Sequence, residues 1–166
     1  MKPIFFIGFM GSGKSTVGKV LHEKLQCQFL DTDAVFEQEE CMKISDFFVR
    51  FGEEHFRQKE HMYLKACTKE NTIVSTGGGM ILRQDNRIWM KNHGHVVYLA
   101  TSFENILKRL ENDTSRPLFQ SDDIEATRAR FFSRLPFYEE TAEWTINTEG
   151  KTPEEIAKEI MGLLNL

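Results

Sequence analysis

A glycine-rich segment near the amino terminus is the strongest chemical signal in this 166-residue sequence. Residues 8–15 read Gly-Phe-Met-Gly-Ser-Gly-Lys-Ser and satisfy the pattern G-x4-G-K-[ST], which is typical of a phosphate-binding loop (P-loop). Glycines let consecutive backbone N–H groups converge on phosphates, and the amino terminus of the next helix adds partial positive charge. Lys14 can reach the β- and γ-phosphates of a nucleotide, and the Ser15 hydroxyl can ligate Mg²⁺. The alternative is a glycine-rich turn without a ligand, and we favour the nucleotide site.

Two carboxylates follow the second predicted strand, where Asp31 and Asp33 flank Thr32. In an open α/β sheet, ligands bind outside the carboxyl ends of the strands, so both side chains can face the same crevice as the P-loop. On an extended segment they point to opposite sides, which suggests that one holds the water shell of Mg²⁺ and the other meets an acceptor hydroxyl. The alternative is an Asx turn or a helix N-cap, because Asp33 precedes a helix-like stretch. Spacing alone does not decide between the two interpretations.

Three consecutive glycines, Gly77, Gly78 and Gly79, follow the third predicted strand. Their cost in backbone entropy needs a reason, such as close approach of a ligand to the main chain, although a simple turn is the alternative. This strand ends in Ser75, whereas a P-loop protein is expected to have an aspartate at the end of one strand. That absence is explained if Asp31 takes over the metal role.

Three arginines are candidates for binding an anion. Glu60 lies three residues after Arg57 and can orient it. Arg116 lies in the polar segment 111–123, whose length between two helices is typical of a functional loop or lid. Arg134 comes near the end of a helical run. Taken singly, each arginine is also compatible with a solvated surface charge.

The elements that must position these residues alternate between short apolar runs and longer amphipathic segments. The apolar runs are continuous, as is typical of strands buried on both faces of a parallel sheet. Helix signals include a break at Gly52, an N-cap at Ser102 and a capping box that pairs Thr152 with Glu155. This pattern predicts an open α/β sheet with helices on both faces. The five strands are predicted at residues 4–7, 29–30, 72–75, 96–99 and 144–146.

Composition and charge exclude several classes of function. The chain has 21 Lys+Arg against 25 Asp+Glu, and this net charge of −4 argues against nucleic acid or an anionic membrane as the main partner. Three cysteines without a CxxC spacing favour free thiols in a reducing compartment. No stretch approaches the ~18 apolar residues of a membrane span. We therefore expect a cytoplasmic protein.

Taken together and in this order, the motifs resemble those of the shikimate kinases. The resemblance extends from the first predicted strand to the last helix. The P-loop alone is shared by many unrelated families, whereas its joint occurrence with the Asp-Thr-Asp, Phe-Arg-x-x-Glu and triple-glycine elements is specific. The resemblance implies the P-loop NTPase fold in a single domain, residues 1–166. That domain would have a five-stranded parallel sheet, a substrate-binding helical region at about 33–60 and a lid at about 111–123.

The resemblance also implies a reaction and a set of residue roles. MgATP would phosphorylate the 3-hydroxyl of shikimate, a step of chorismate and aromatic amino acid biosynthesis, in a monomer whose partners are these small molecules. Asp33 would act as the base, Glu60 would brace Arg57, and Arg116 would close over the β/γ-phosphates. Lys14, Asp33 and Arg116 are thus the implied catalytic residues, and Ser15 and Asp31 the implied Mg²⁺ residues. The implied ATP contacts are Gly11, Ser12, Gly13, Lys14, Ser15, Thr16, Arg109, Arg116 and Lys151. The implied shikimate contacts are Asp33, Phe48, Phe56, Arg57, Gly77, Gly78, Gly79, Leu118 and Arg134.

Two other classes of function stay open at this point. A P-loop kinase for gluconate or a nucleoside monophosphate would keep the P-loop, but it does not explain the glycine turn together with Arg57 and Arg134. A catalytically silent nucleotide-binding or regulatory protein is disfavoured because all four candidate functional residues are present: Lys14, Asp31, Asp33 and Arg116.

Overall fold

The computed structural model of the protein describes residues 1–111 and 124–166. Its centre is a parallel sheet of five strands: β1 (Ile4–Ile7), β2 (Gln28–Asp31), β3 (Thr72–Ser75), β4 (His95–Ala100) and β5 (Trp144–Asn147). The strand order is β2-β3-β1-β4-β5. All four neighbouring pairs are parallel. The predicted sheet is confirmed, with two strands bounded as predicted and three extended by one residue at one or both ends.

The connecting segments are seven helices in the described part of the chain: α1 (Lys14–Leu25), α2 (Thr32–Glu39), α3 (Ile44–Cys67), α4 (Gln84–His93), α5 (Phe103–Glu111), α6 (Ile124–Thr141) and α7 (Pro153–Leu164). A short 3₁₀ helix, Met80–Leu82, follows β3. None of these helices is long and apolar enough to cross a membrane.

The central strand β1 shows how the sheet organises the core. Side chains alternate between the two faces of a strand. Phe5 and Ile7 therefore pack into one apolar cluster, with residues of α3, α4, α5 and α6. Ile4 and Phe6 pack into a second cluster on the opposite face, with residues of α1 and α7. All four side chains are fully buried, which is why this strand reads as a continuous apolar run rather than as an alternation.

The predicted helix signals are present where the sequence places them. Gly52 interrupts α3 with a φ of 81° and a ψ of 167°, a conformation that glycine adopts without steric cost. The Ser102 hydroxyl accepts a hydrogen bond from the Asn105 N–H at the start of α5. Thr152 and Glu155 form the reciprocal capping box that begins α7.

A third cluster joins α2 to α3 beside the sheet. Phe36 of α2 lies between Phe47 and Phe56 of α3, with ring centroids 5.0 and 4.9 Å away. This cluster fixes the position of Phe56 and therefore of the adjacent Arg57. The three cysteines are free, as predicted, with Cys27 and Cys67 buried.

Candidate active site

A cleft of about 660 Å³ opens at the carboxyl ends of β1, β2 and β3. This is the edge of a parallel sheet at which ligands bind in open α/β folds. Every predicted site residue that lies in the described part of the chain lines this cleft. Arg116 and Leu118, and with them nearly all of the predicted lid, lie outside the described residues.

The P-loop forms one wall of the cleft between β1 and α1. Gly11 and Gly13 have φ values of 75° and 95°, which favour glycine, and Gly13 immediately precedes α1. No side chain caps this helix and no acidic residue lies in its first turn, so the partial positive charge of its amino terminus faces the loop. Lys14 Nζ donates to the carbonyl oxygens of Gly8 and Phe9 at 2.8 and 2.9 Å. The arrangement is suited to a polyphosphate.

An oxygen cluster lies beside the P-loop and could hold a cation. The Ser15 hydroxyl donates to Asp31 Oδ2 at 2.7 Å and lies 3.3 Å from the Ser75 hydroxyl. All three side chains offer oxygen, which Mg²⁺ prefers, and Mg²⁺ usually keeps several waters and takes further ligands from substrate phosphates. The described residues contain no group of three His, Cys, Asp or Glu side chains arranged around one metal. The donor set therefore fits an ion that is shared with a nucleotide.

Asp31 and Asp33 do not lie together on one extended segment, and that part of the sequence interpretation is wrong. Asp31 ends β2 and is itself the N-cap of α2, because its Oδ1 accepts hydrogen bonds from the N–H groups of Asp33 and Ala34. The helix begins directly at Thr32, which places Asp33 in its first turn. Asp31 thus uses one carboxylate oxygen for the helix and the other for Ser15, whereas Asp33 lines the cleft.

The triple-glycine turn makes room for two charged side chains. A Cβ on Gly77 would lie 2.6 Å from Asp33 Oδ1, and a Cβ on Gly79 would lie 2.5 Å from Arg57 Nη2. Both distances are too short for a real methyl group. The main chain of this turn is therefore closely approached by the carboxylate and the guanidinium of the protein itself, and the approach of a ligand stays a prediction.

Arg57 is held in the cleft by an ion pair with Glu60, the pairing that the three-residue spacing predicts. Its Nη1 lies 2.8 Å from Glu60 Oε2, and its guanidinium carbon lies 5.1 Å from the Phe56 ring centroid. The Glu60 side chain is only 4% exposed. This burial raises the pKa of Glu60 to about 7, although the charge of Arg57 lowers it, and the nearby charge of Asp33 raises it further.

Arg134 reaches the same glycine turn from α6. A Cβ on Gly78 would lie 3.7 Å from Arg134 Nη1 and 3.5 Å from the Met10 nitrogen of the P-loop. Burial lowers the pKa of Arg134, and the charge of Arg57 lowers it as well. The two guanidinium groups therefore repel each other, and an anion bound between them would relieve that repulsion.

Arg109 and Lys151 line the part of the cleft near the start of α7. Arg109 Nη1 donates to the carbonyl oxygen of Gly11 at 3.1 Å, and Lys151 pairs with Glu159 at 2.6 Å. Several lining residues were not predicted, because nothing in the sequence brings their distant segments together: Ile44, Ser75, Leu110 and Ile156. Ser75 ends β3 and pairs in register with Asp31 at the end of β2. Its position at the end of a predicted strand is the one sequence signal that could have placed it in the site.

Comparison with known proteins decides between the classes left open by the sequence. The family model described as shikimate kinase matches residues 10–165. The chain belongs to the shikimate kinase family. A shikimate kinase from Bacillus cereus (strain G9842) is 43% identical over 166 residues, which is 100% of both chains. One from Sulfurihydrogenibium sp. (strain YO3AOP1) is 44% identical over 162 residues, covering 97% of this chain and 96% of the relative.

Solved shikimate kinase structures have the same fold. The shikimate kinase from Acinetobacter baumannii, in complex with shikimate, has a TM-score of 0.91 and 35% identity, and the match covers 99% of this chain and 93% of that one. A gluconokinase from Sinorhizobium meliloti 1021 has a TM-score of 0.57 and only 17% identity, so it shares the fold alone. As a member of the shikimate kinase family, the chain is a phosphotransferase with an alcohol group as acceptor.

Proposed function

We propose that the chain transfers the γ-phosphoryl group of ATP to the 3-hydroxyl of shikimate with the help of Mg²⁺. The observation that carries the proposal is the meeting of the P-loop and two arginines at one glycine turn. A Cβ on Gly78 would lie 3.5 Å from the P-loop nitrogen of Met10 and 3.7 Å from Arg134, and a Cβ on Gly79 would touch Arg57. A phosphate donor and a small anionic acceptor can therefore be held side by side in one cleft.

The part of the cleft at Arg57 and Arg134, here called the acceptor end, is suited to the single carboxylate of shikimate. Arg57 and Arg134 present planar guanidinium groups, which bind carboxylates through paired hydrogen bonds. Glu60 fixes the orientation of Arg57 from one side, at 2.8 Å. The aromatic rings of Phe48 and Phe56, 4.5 Å apart, provide an apolar wall for the ring of the substrate.

Asp33 is proposed as the group that orients the attacking hydroxyl and accepts its proton. It lies in the first turn of α2, in contact distance of the glycine turn, and it faces the same cleft as Arg57 and Arg134. A carboxylate within hydrogen-bond reach of a hydroxyl satisfies the geometric requirement for a general base.

The donor end would bind ATP through the P-loop. Lys14 and the amino terminus of α1 would hold the phosphates, and Ser15 and Asp31 would hold Mg²⁺, directly and through water. When bound, Mg²⁺ neutralises charge that develops on the phosphates during transfer. From the segment outside the described residues, Arg116 would close over the phosphates and Leu118 would contact shikimate. The remaining proposed ATP contacts are Gly11, Ser12, Gly13, Thr16, Arg109 and Lys151.

We further propose that the chain acts as one domain, residues 1–166, and as a cytoplasmic monomer whose partners are small molecules. The net charge of −4 favours small molecules over nucleic acid as partners, and the three free cysteines are typical of a reducing compartment. Size-exclusion chromatography with light scattering would test the monomer, which corresponds to 19.3 kDa.

A coupled ADP-release assay tests the proposed reaction. The purified protein is supplied with ATP and Mg²⁺ and, in separate reactions, with shikimate, gluconate or a nucleoside monophosphate. We expect turnover with shikimate, none without Mg²⁺, and only background rates with the other two acceptors. Turnover of gluconate or a nucleotide at rates equal to that of shikimate would contradict the proposal.

A further inference from the structure

The hydroxyl of Tyr138 lies at the junction between the glycine turn and Arg134. Tyr138 is on α6, its side chain is only 1% exposed, and its hydroxyl donates to the carbonyl oxygen of Gly78 at 2.5 Å. Arg134 lies beside the same turn, since a Cβ on Gly78 would be 3.7 Å from Arg134 Nη1, and its charge interacts with the Tyr138 hydroxyl. The two residues are four apart on one helix, so their side chains lie on the same face.

The hydrogen-bonding capacity of these groups determines what the Tyr138 hydroxyl can offer to each neighbour. A guanidinium can only donate, and a phenol has one proton to donate and an oxygen that accepts. The Tyr138 proton goes to Gly78, so the phenol can offer only its electronegative oxygen to the Arg134 guanidinium. Burial raises the pKa of Tyr138, which keeps the hydroxyl protonated and therefore able to donate.

The Tyr138 ring is held by regular structure rather than by a loop. It stacks on Tyr98 of β4, with ring centroids 5.1 Å apart and an angle of 16° between the rings. Tyr98 is itself buried in the central sheet. The hydroxyl is thus fixed by a strand and a helix, and it can transmit that fixed position to both of its partners.

We propose that Tyr138 is a positioning residue for the acceptor. It holds the Gly78 main chain in place beside the Arg134 guanidinium, and in this way it sets the affinity for the carboxylate of the substrate. The inference rests on the proposed function, in which Arg134 binds that carboxylate. Tyr138 itself does not line the cleft.

The test compares two variants that each lose one hydroxyl from the same pair of rings. Tyr138→Phe removes the hydrogen bond to Gly78 and keeps the stacked ring, whereas Tyr98→Phe leaves that bond in place. In steady-state assays we expect Tyr138→Phe to raise the KM for shikimate about 5- to 20-fold. The kcat of Tyr138→Phe and its KM for ATP should stay within about twofold of the wild-type values. For Tyr98→Phe, the kcat and the KM values for shikimate and for ATP should all stay within about twofold of wild type.

A shikimate analogue with a hydroxymethyl group in place of the carboxylate separates positioning from general damage. If Tyr138 acts through Arg134, the effect of Tyr138→Phe on binding of this analogue, measured by calorimetry, should be less than about twofold. An equal loss for shikimate and the analogue would overturn the inference, as would an unchanged KM for shikimate in Tyr138→Phe or a fall in kcat alone. Absence of shikimate turnover by the wild-type protein would overturn the proposed function and this inference together, which distinguishes the two failures.

Discussion

Replacing Glu60 by glutamine should stabilise the protein at neutral pH. Two opposing effects act on this carboxylate: burial disfavours its charge, and the ion pair with Arg57 at 2.8 Å favours it. Burial is the larger effect, since the pKa rises from an ordinary 4.5 to about 7. The ionised Glu60 is therefore a net cost to the folded state, and a neutral glutamine of the same shape removes that cost.

The size and the sign of the effect follow from the same two pKa values. Between pH 4.5 and about 7 the folded protein binds more protons at Glu60 than the unfolded chain does, so the wild type loses stability as the pH rises through this interval. At 1.36 kcal/mol per pH unit, the interval corresponds to roughly 3 kcal/mol. Near pH 4, where Glu60 is protonated, the glutamine variant and the wild type should have the same free energy of unfolding. Near pH 8 the free energy of unfolding of the variant should be higher by about 3 kcal/mol.

Urea unfolding at a series of pH values measures this difference directly. Other titrating groups are common to both proteins and cancel when one free energy of unfolding is subtracted from the other. Glu53→Gln is the matched control, because Glu53 also pairs with Arg57, at 3.4 Å, but its side chain is 65% exposed. The control should show no such dependence on pH. A difference that does not change with pH, or a Glu60→Gln variant that is less stable near pH 8, would refute the reasoning.

Three further substitutions test the other parts of the site. Gly79→Ala places a Cβ 2.5 Å from Arg57 Nη2, so the guanidinium must move; we expect the KM for shikimate to rise about 10-fold with little change in Tm, and an unaltered KM would contradict this. Asp33→Asn should lower kcat and leave the KM for ATP nearly unchanged, because an amide cannot take the proton; turnover near that of wild type would exclude the proposed base. Asp31→Asn keeps an N-cap oxygen for α2 but loses the charge beside Ser15, so half-maximal activity should need about 10-fold more Mg²⁺. An unchanged Mg²⁺ requirement would remove Asp31 from the metal site.

Much of the fold could be predicted because its signals are local. The strand at residues 4–7 is apolar at every position since it is buried on both faces, and the structure confirms its bounds. The capping box at Thr152 and the break at Gly52 depend only on neighbouring residues, and both are present. The family itself could be recognised because its motifs keep their order and spacing along the chain.

What the sequence could not provide depends on segments that meet only in three dimensions. The interpretation of Asp31 and Asp33 assumed that the strand continued, whereas the helix begins one residue after Asp31, which therefore caps it. Ser75 joins the oxygen cluster because β2 and β3 are neighbours in register. The raised pKa of Glu60 comes from burial among distant segments, and no spacing within α3 indicates it.

In the proposed function, one cleft holds a polyphosphate at the P-loop and a carboxylate at two arginines. Steady-state kinetics of Arg134→Ala, with each substrate varied in turn, tests it most directly. We expect the KM for shikimate to rise at least about 30-fold and the KM for ATP to change less than about twofold. Equal increases in both constants would contradict the claim, because they would show that Arg134 does not serve the acceptor end of the cleft.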